Sequence, residues 1–207
     1  MTVNLSLRAD IDAVVIGTSA GGVQALSLLL PALPAAAAAA IFIVLHLPRN
    51  TPSLLTAVFE HKCRLAVREA EDKEPVVPGT VYFAPPNYHL LLDRGPRLVL
   101  SVDDLVHYSR PSIDVLFESA AEIYRNRLLG IILTGANEDG AEGLAAIREA
   151  GGVTVVQEPQ TAFSPAMVLS ALKRLAPDHV LPLERIALLL GTLRIRQSSS
   201  ARSSPFG

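Results

Sequence analysis

The 207-residue sequence predicts one α/β domain: a mostly parallel, doubly wound sheet covered by helices on both faces, with an antiparallel hairpin insertion. Three observations predict it. Strand-like and helix-like segments alternate over most of the chain, the pattern of a parallel sheet with crossover helices. The strand segments are continuous apolar runs without polar alternation, as expected of strands buried on both faces. A cluster of short strands between residues 80 and 102 interrupts the alternation. The length fits one medium domain, which can bury a full core without disulfide or metal staples.

Residues 1–10 form an N-terminal extension, and residues 11–193 form the domain. Ile11 to Gly17 is a β-branched run read as a buried strand. After TSAGG, a helix over Val23 to Leu33 places Leu26, Leu29, Leu30 and Leu33 on one face. Ile41 to Leu45 is a second strand. Pro52 opens a helix, since proline suits the first turn. Leu65 to Ala70 is a third strand. Thr80 to Ala84, Tyr88 to Leu92 and Arg97 to Val102 form the antiparallel insertion, the last two joined by a turn at residues 93–96. Ser112 to Arg125 reads as an amphipathic helix with Val115, Leu116, Ser119 and Ile123 near one face. Leu128 to Leu133 is a strand, and Glu142 to Ala150 a helix stopped by Gly151 and Gly152. Val153 to Val156 is a strand; Pro165 to Leu175 and Leu183 to Leu193 are helices. Residues 194–207 are Ser-rich, lack periodicity, and are expected to be a disordered tail.

Composition excludes several classes. The formal net charge of −2 lacks the basic footprint of a nucleic-acid binder. Cys63, the one cysteine, permits neither an intramolecular disulfide nor a cysteine-based metal site, which suits a reducing compartment. The N-terminus carries charges and no apolar core, unlike a secretory signal. The most apolar stretch, residues 35–45, falls far short of the ~20 residues of a membrane helix. The expectation is a cytoplasmic protein with no membrane insertion.

In open α/β sheets, ligands bind beyond the carboxyl ends of the strands. Polar residues occupy three such exits: Ser19 in GTSAGG, His46 after IFIVL, and Asp139 in TGANEDG. A serine hydroxyl needs a base to take its proton. A neutral imidazole can serve, and a carboxylate on its other nitrogen fixes the tautomer and stabilises the imidazolium. GTSAG also fits the G-x-S-x-G nucleophile turn. The helix after it aims N–H groups at the site, with Ala20, Gly21 and Gly22 as oxyanion or substrate-binding candidates. Ala136 and Asn137, in the loop before Asp139, are the second such group. Because the histidine precedes the aspartate, an ordinary α/β-hydrolase is disfavoured.

Each residue also has a plainer reading. GTSAGG could be a simple strand-to-helix turn or a phosphate cradle, although it matches neither phosphate motif. His46 could be a hydrogen-bonded strand-end histidine. Asp139 could cap the helix that follows it. His61, His107 and His179 fall near helix ends or loops, and His89 lies within a strand. None has a partner at metal-ligand spacing. Ser112 and Asp114 read as a helix cap and its neighbour, with Arg110 and Pro111 as a polar rim.

Six segments in order resemble the catalytic domain of the chemotaxis protein-glutamate methylesterases, the CheB family: IGTSAGG at 16–22, LHLP at 45–48, YFAPPNYHLLL at 82–92, SRPSIDVLFESAA at 109–121, LTGANEDGAEGL at 133–144 and GGVTVVQEPQTAFSPAM at 151–167. The resemblance implies a three-layer α/β/α domain and a serine hydrolase. That hydrolase would demethylate glutamate γ-methyl esters on chemoreceptor helices, releasing methanol, and in some members deamidate glutamine. The family's nucleophile, base and acid fall on Ser19, His46 and Asp139, with no cofactor. The family often has Thr where Ala20 stands and Met where Ala136 stands. Its usual N-terminal receiver domain is not expected here, because the first strand begins near residue 11; a separate receiver-domain protein is then the candidate regulator. Two alternatives accompany this reading: an esterase or amidase of the same chemistry on a different substrate, and a noncatalytic signalling module.

Overall fold

The computed structural model describes residues 10–47 and 53–195. Seven strands form one parallel sheet: β1 (Ala13–Thr18), β2 (Ala40–Leu45), β3 (Ala66–Glu69), β4 (Thr80–Phe83), β7 (Leu128–Ile132), β8 (Val153–Gln157) and β9 (His179–Leu181), in the order β3-β4-β2-β1-β7-β8-β9. β1, β2 and β7 are buried at every residue. Their Val, Ile, Leu and Phe runs can sit only where both faces are covered. β5 (His89–Asp93) and β6 (Arg97–Ser101) pair separately as an antiparallel hairpin, with Asp93 opposite Arg97.

Helices α1 (Gly22–Leu29), α2 (Leu55–Phe59) and α6 (Leu183–Leu190) cover one face, against Val14 and Ile16 of β1. Helices α3 (Ile113–Tyr124), α4 (Ala141–Glu149) and α5 (Ala166–Arg174) cover the other with the hairpin, against Ala13 and Val15. The chain leaves β1 toward β2 on one side and returns with β7 on the other. The helices that follow β1 and β7 lie in opposite layers. Such a reversal opens a crevice at the carboxyl ends of the two strands.

The α/β fold class is as expected, and four details differ. β4 is not part of the antiparallel insertion: Val81 pairs in parallel with Ile41 and with Val67, so the insertion shrinks to β5 and β6. Helix α3 buries Ile113, Leu116, Phe117, Ala120 and Tyr124, not the stripe through Val115 and Ile123. It packs on the sheet beside α4, while Ser119 Oγ, on the expected stripe, accepts from Leu92 N of the hairpin at 3.1 Å. β9, where the sequence predicts a loop around His179, is a strand of three residues at the sheet edge. The fold also runs past residue 193, since Arg194 O accepts from Ala38 N at 2.8 Å. Pro52 and most of both expected terminal segments lie outside the described residues.

α3 and α4 approach closely at Gly143, where an added Cβ would fall 2.5 Å from Phe117 Cβ and 3.0 Å from Asp114 Cα. Neither neighbour is the flexible end of a side chain. Gly143→Ala is expected to destabilise the protein by roughly 1–3 kcal/mol through overpacking. Urea unfolding checks this, and a midpoint at or above wild type overturns it.

Candidate active site

The crevice holds all three strand-exit residues. Thr18 pairs with Leu45 in register, so the next residues, Ser19 and His46, stand side by side on adjacent strands, with His46 N donating to Thr18 O at 3.1 Å. Ser19 begins a β-turn that Gly22 N closes on Ser19 O at 2.9 Å. Gly21 occupies its third position at φ 83° and ψ 0°. Those are type II turn angles, which strongly favour glycine.

Two buried polar residues missed by sequence reasoning fix this turn. Thr134 O accepts from Ser19 N at 3.0 Å and from Thr18 Oγ1 at 2.8 Å. Thr134 Oγ1 donates to Ala20 O at 2.8 Å, and Thr134 N donates to Gln157 Oε1 at 2.9 Å. Both lie at the exits of strands β7 and β8, so extending the strand-exit rule to these positions would have found them.

Among the described residues, the N–H groups of Ala20 and Gly21 have no acceptor, and neither do those of Ala136 and Asn137. They can therefore serve a ligand oxygen. The N–H of Gly22 cannot, being bonded to Ser19 O; that candidate is set aside as an oxyanion donor. Asn137 Nδ2 donates to Ser109 Oγ at 3.4 Å, while its buried Oδ1 has no partner among the described residues.

His46 Nε2 lies 2.9 Å from Asp139 Oδ2. Asp139 is wholly buried. An ionised carboxylate only accepts, so the shared proton sits on Nε2 and Nδ1 keeps its lone pair. Asp139 also accepts from Ser112 Oγ at 2.8 Å, Ile113 N at 2.7 Å and Asp114 N at 3.0 Å. Burial pushes its pKa up, but the bonds from His46, Ile113 and Asp114 prevail and hold it below the usual carboxylate range. The carboxylate thus caps α3, not the α4 helix that follows it.

Asp114 returns the cap: its Oδ1 accepts from Gly143 N of α4 at 2.7 Å. His107 Nε2 lies 3.3 Å from Asp114 Oδ2. Burial, opposed by the Gly143 N–H and reinforced by the charge of Asp139, pushes Asp114 up to about 6. Between the ordinary 3.8 and about 6, the folded protein holds a proton that the unfolded chain has released. Stability therefore falls as pH rises through that window. Asp114→Asn keeps an acceptor for Gly143 and removes the buried charge. Its stability relative to wild type is expected to rise by on the order of 1–3 kcal/mol from about pH 4 to about pH 7. Urea midpoints across that range check this, and a pH-independent difference overturns it.

His89 is a structural residue, with Nε2 bonded to Asp104 O at 3.0 Å and Nδ1 accepting from Ser112 N at 3.2 Å. Arg110 donates to Asn87 Oδ1 and to the carbonyls of Val102 and Asp103. A cavity of about 70 Å³ opens beside His46, lined also by Leu47, Tyr108, Ser109, Arg110 and Pro111. Val106 and Ser109 bond each other's backbone across a two-residue turn in which His107 and Tyr108 have φ of 48° and 59°. Left-handed backbone at a residue other than glycine costs about 1–2 kcal/mol. A larger cavity, about 680 Å³, is lined by Asp12, Ala40 and Arg127 near the amino ends of the strands, away from these groups. Among the described residues no group of His, Cys, Asp and Glu has a metal-binding arrangement, and no helix is long and apolar enough to cross a membrane.

Comparison with known proteins gives a consistent picture. The sequence profile described as CheB methylesterase matches residues 14–190. A Rhodospirillum rubrum protein named protein-glutamate methylesterase/protein-glutamine glutaminase 2 is 41% identical over 89% of this chain and 52% of its own. A Leptospira interrogans protein, provisionally given the same enzyme name, is 46% identical over 91% of this chain and 96% of its own. The crystal structure of the Thermotoga maritima CheB methylesterase catalytic domain superposes with a TM-score of 0.83 at 34% identity, covering 88% of this chain and 98% of that one.

Proposed function

The chain belongs to the CheB methylesterase family, and from that premise we propose that it hydrolyses glutamate γ-methyl esters on the cytoplasmic helices of chemoreceptors, with Ser19 as nucleophile, His46 as base and Asp139 as the orienting acid. The observation that carries the site assignment is the 2.9 Å His46–Asp139 bond beside Ser19. The buried carboxylate is fixed by three further donors. It holds the imidazole so that Nδ1 is the nitrogen left for the serine hydroxyl.

Ser19 Oγ attacks the ester carbonyl as His46 Nδ1 takes its proton. Asp139 stabilises the imidazolium. The N–H of Ala20, with Gly21 or the Ala136–Asn137 backbone, receives the oxyanion. Collapse breaks the bond to the methoxy oxygen, which takes the proton from His46 and leaves as methanol. Water then attacks the glutamyl-serine ester with His46 again as base, releasing the glutamate carboxylate and Ser19. The same cycle on a glutamine side chain releases ammonia, consistent with the double name of the relatives.

The test is methanol release from methylated chemoreceptor membranes by wild type and Ser19→Ala. Release by wild type alone is expected. Release by both variants overturns the role of Ser19, and release by neither overturns the substrate. Labelling of wild type by a fluorophosphonate then separates an esterase of other specificity from a noncatalytic module.

A further inference from the structure

Two aromatic side chains beside the site face solvent almost completely. Tyr108 is 93% exposed and Phe163 is 82% exposed, whereas Phe42, Phe59, Tyr82, Phe83, Phe117 and Tyr124 are buried. Phe163 sits on the serine turn: a Cβ on Gly21 would fall 2.7 Å from Phe163 Cβ. Tyr108 lines the His46 cavity. It also lines an open groove of about 560 Å³ with Asn137, Leu169 and Lys173. Gly21 opens α1 in one helix layer, and Tyr108 lies just before α3 in the other. Phe163 itself lies between Ala162 and Met167, which pack in the α3 layer, so what separates the rings is their place at the site: Phe163 stands beside the serine turn and Tyr108 beside His46.

Neither ring rides on loose backbone. Ser164, next to Phe163, is bonded through N to Thr134 Oγ1 at 2.9 Å and through O to Gly135 N at 3.0 Å. Tyr108 is at the tip of the Val106–Ser109 turn, whose His107 side chain lies 3.3 Å from Asp114 and 3.4 Å from Glu138. A pinned backbone that presents an exposed aromatic is a preorganised contact, because little freedom is left to lose on binding. Aromatic anchors of this kind carry a large share of the binding energy at protein interfaces.

We infer that Tyr108 and Phe163 form a clamp on the polypeptide substrate, Phe163 gripping it beside the serine turn and Tyr108 beside His46. This rests on the methylesterase reading above. The occupant is a protein segment bearing a glutamyl ester, since a small free ester reaches Ser19 and His46 without touching both rings. The groove past Tyr108 continues the contact along the segment, with Leu169 offering apolar surface and Lys173 a positive charge to acidic neighbours of the esterified residue.

The experiment compares wild type, Tyr108→Ala, Phe163→Ala and the double variant on methylated chemoreceptor membranes and on p-nitrophenyl acetate. Each single variant is expected to lower the ratio of receptor to small-ester kcat/KM by about 5–10-fold, mostly through KM, and the double variant by about 30-fold or more. Parallel losses on both substrates would mean the rings only support the site, and an unchanged ratio would remove them from recognition; either overturns the clamp. Wild type that cleaves the small ester but releases no methanol from receptors overturns the methylesterase reading and the clamp with it. If wild type self-associates and the variants are monomers with wild-type methanol release, the rings serve self-association and the clamp is likewise overturned.

Discussion

Ser19→Ala and His46→Ala are each expected to lower methanol release by roughly 10⁴–10⁶, and the double variant to be no slower than the worse single one. The structure gives the reason. Ser19 and His46 extend adjacent, fully buried strands by one residue each, and His46 N is bonded to the residue before Ser19. Each side chain has value only through the other: the hydroxyl is inert without a base, and the imidazole without the hydroxyl has no nucleophile to activate. Single-turnover methanol release by the four proteins checks this. If the two single losses multiply in the double variant, the residues are not one unit.

Asp139→Asn is expected to damage the enzyme in two ways. The rate should fall by about 10⁴, because an amide at this position favours the wrong His46 tautomer. Stability should fall too, by roughly 2–5 kcal/mol. Oδ2 accepts from His46 and Ile113, and Oδ1 accepts from Ser112 and Asp114. Whichever oxygen becomes an NH₂ group, it meets one fixed backbone donor, Ile113 N or Asp114 N, with a donor, while His46 or Ser112 must turn round to accept. A triad aspartate that only orients its histidine would show the rate loss with an unchanged urea midpoint, and that result would overturn the capping role.

The parallel sheet was legible because its strands are uninterrupted apolar runs, and the site because three of these runs end in a serine, a histidine and an acidic loop. The strand-exit rule needs no knowledge of strand order, which explains why Ser19, His46 and Asp139 can be singled out together as candidates although the neighbours of β1 cannot. Partnership was less legible. Thr80 to Ala84 looks the same whether its partner lies 40 residues before it or in the next hairpin, so β4 was placed in the wrong sheet. The plainer reading of Asp139, as a cap, assigns it to the helix that follows because Asp before a helix usually caps that helix. The carboxylate turns to α3 instead, and α4 starts at Gly140 with φ 100° and no side-chain cap. Which helix a carboxylate serves depends on the packing angle of α3 on α4, which no local pattern encodes. Thr134 is hidden for the same reason: its contacts, with Thr18, Ala20, Gln157 and Ser164, are with segments distant in sequence.

The exchange of caps between Asp139 and Asp114 has a consequence for how the molecule opens. Neither helix can keep its amino-terminal bonds if the other swings away, so α3 and α4 should detach as one cooperative unit, not fray independently. That unit carries the group that orients His46. In native-state hydrogen exchange, the amides of Ile113, Asp114 and Gly143 should share a single opening free energy. Under mild denaturant, opening of that unit takes the carboxylate from the proposed base, so hydrolytic activity is expected to track the docking of two helices, neither of which contains Ser19.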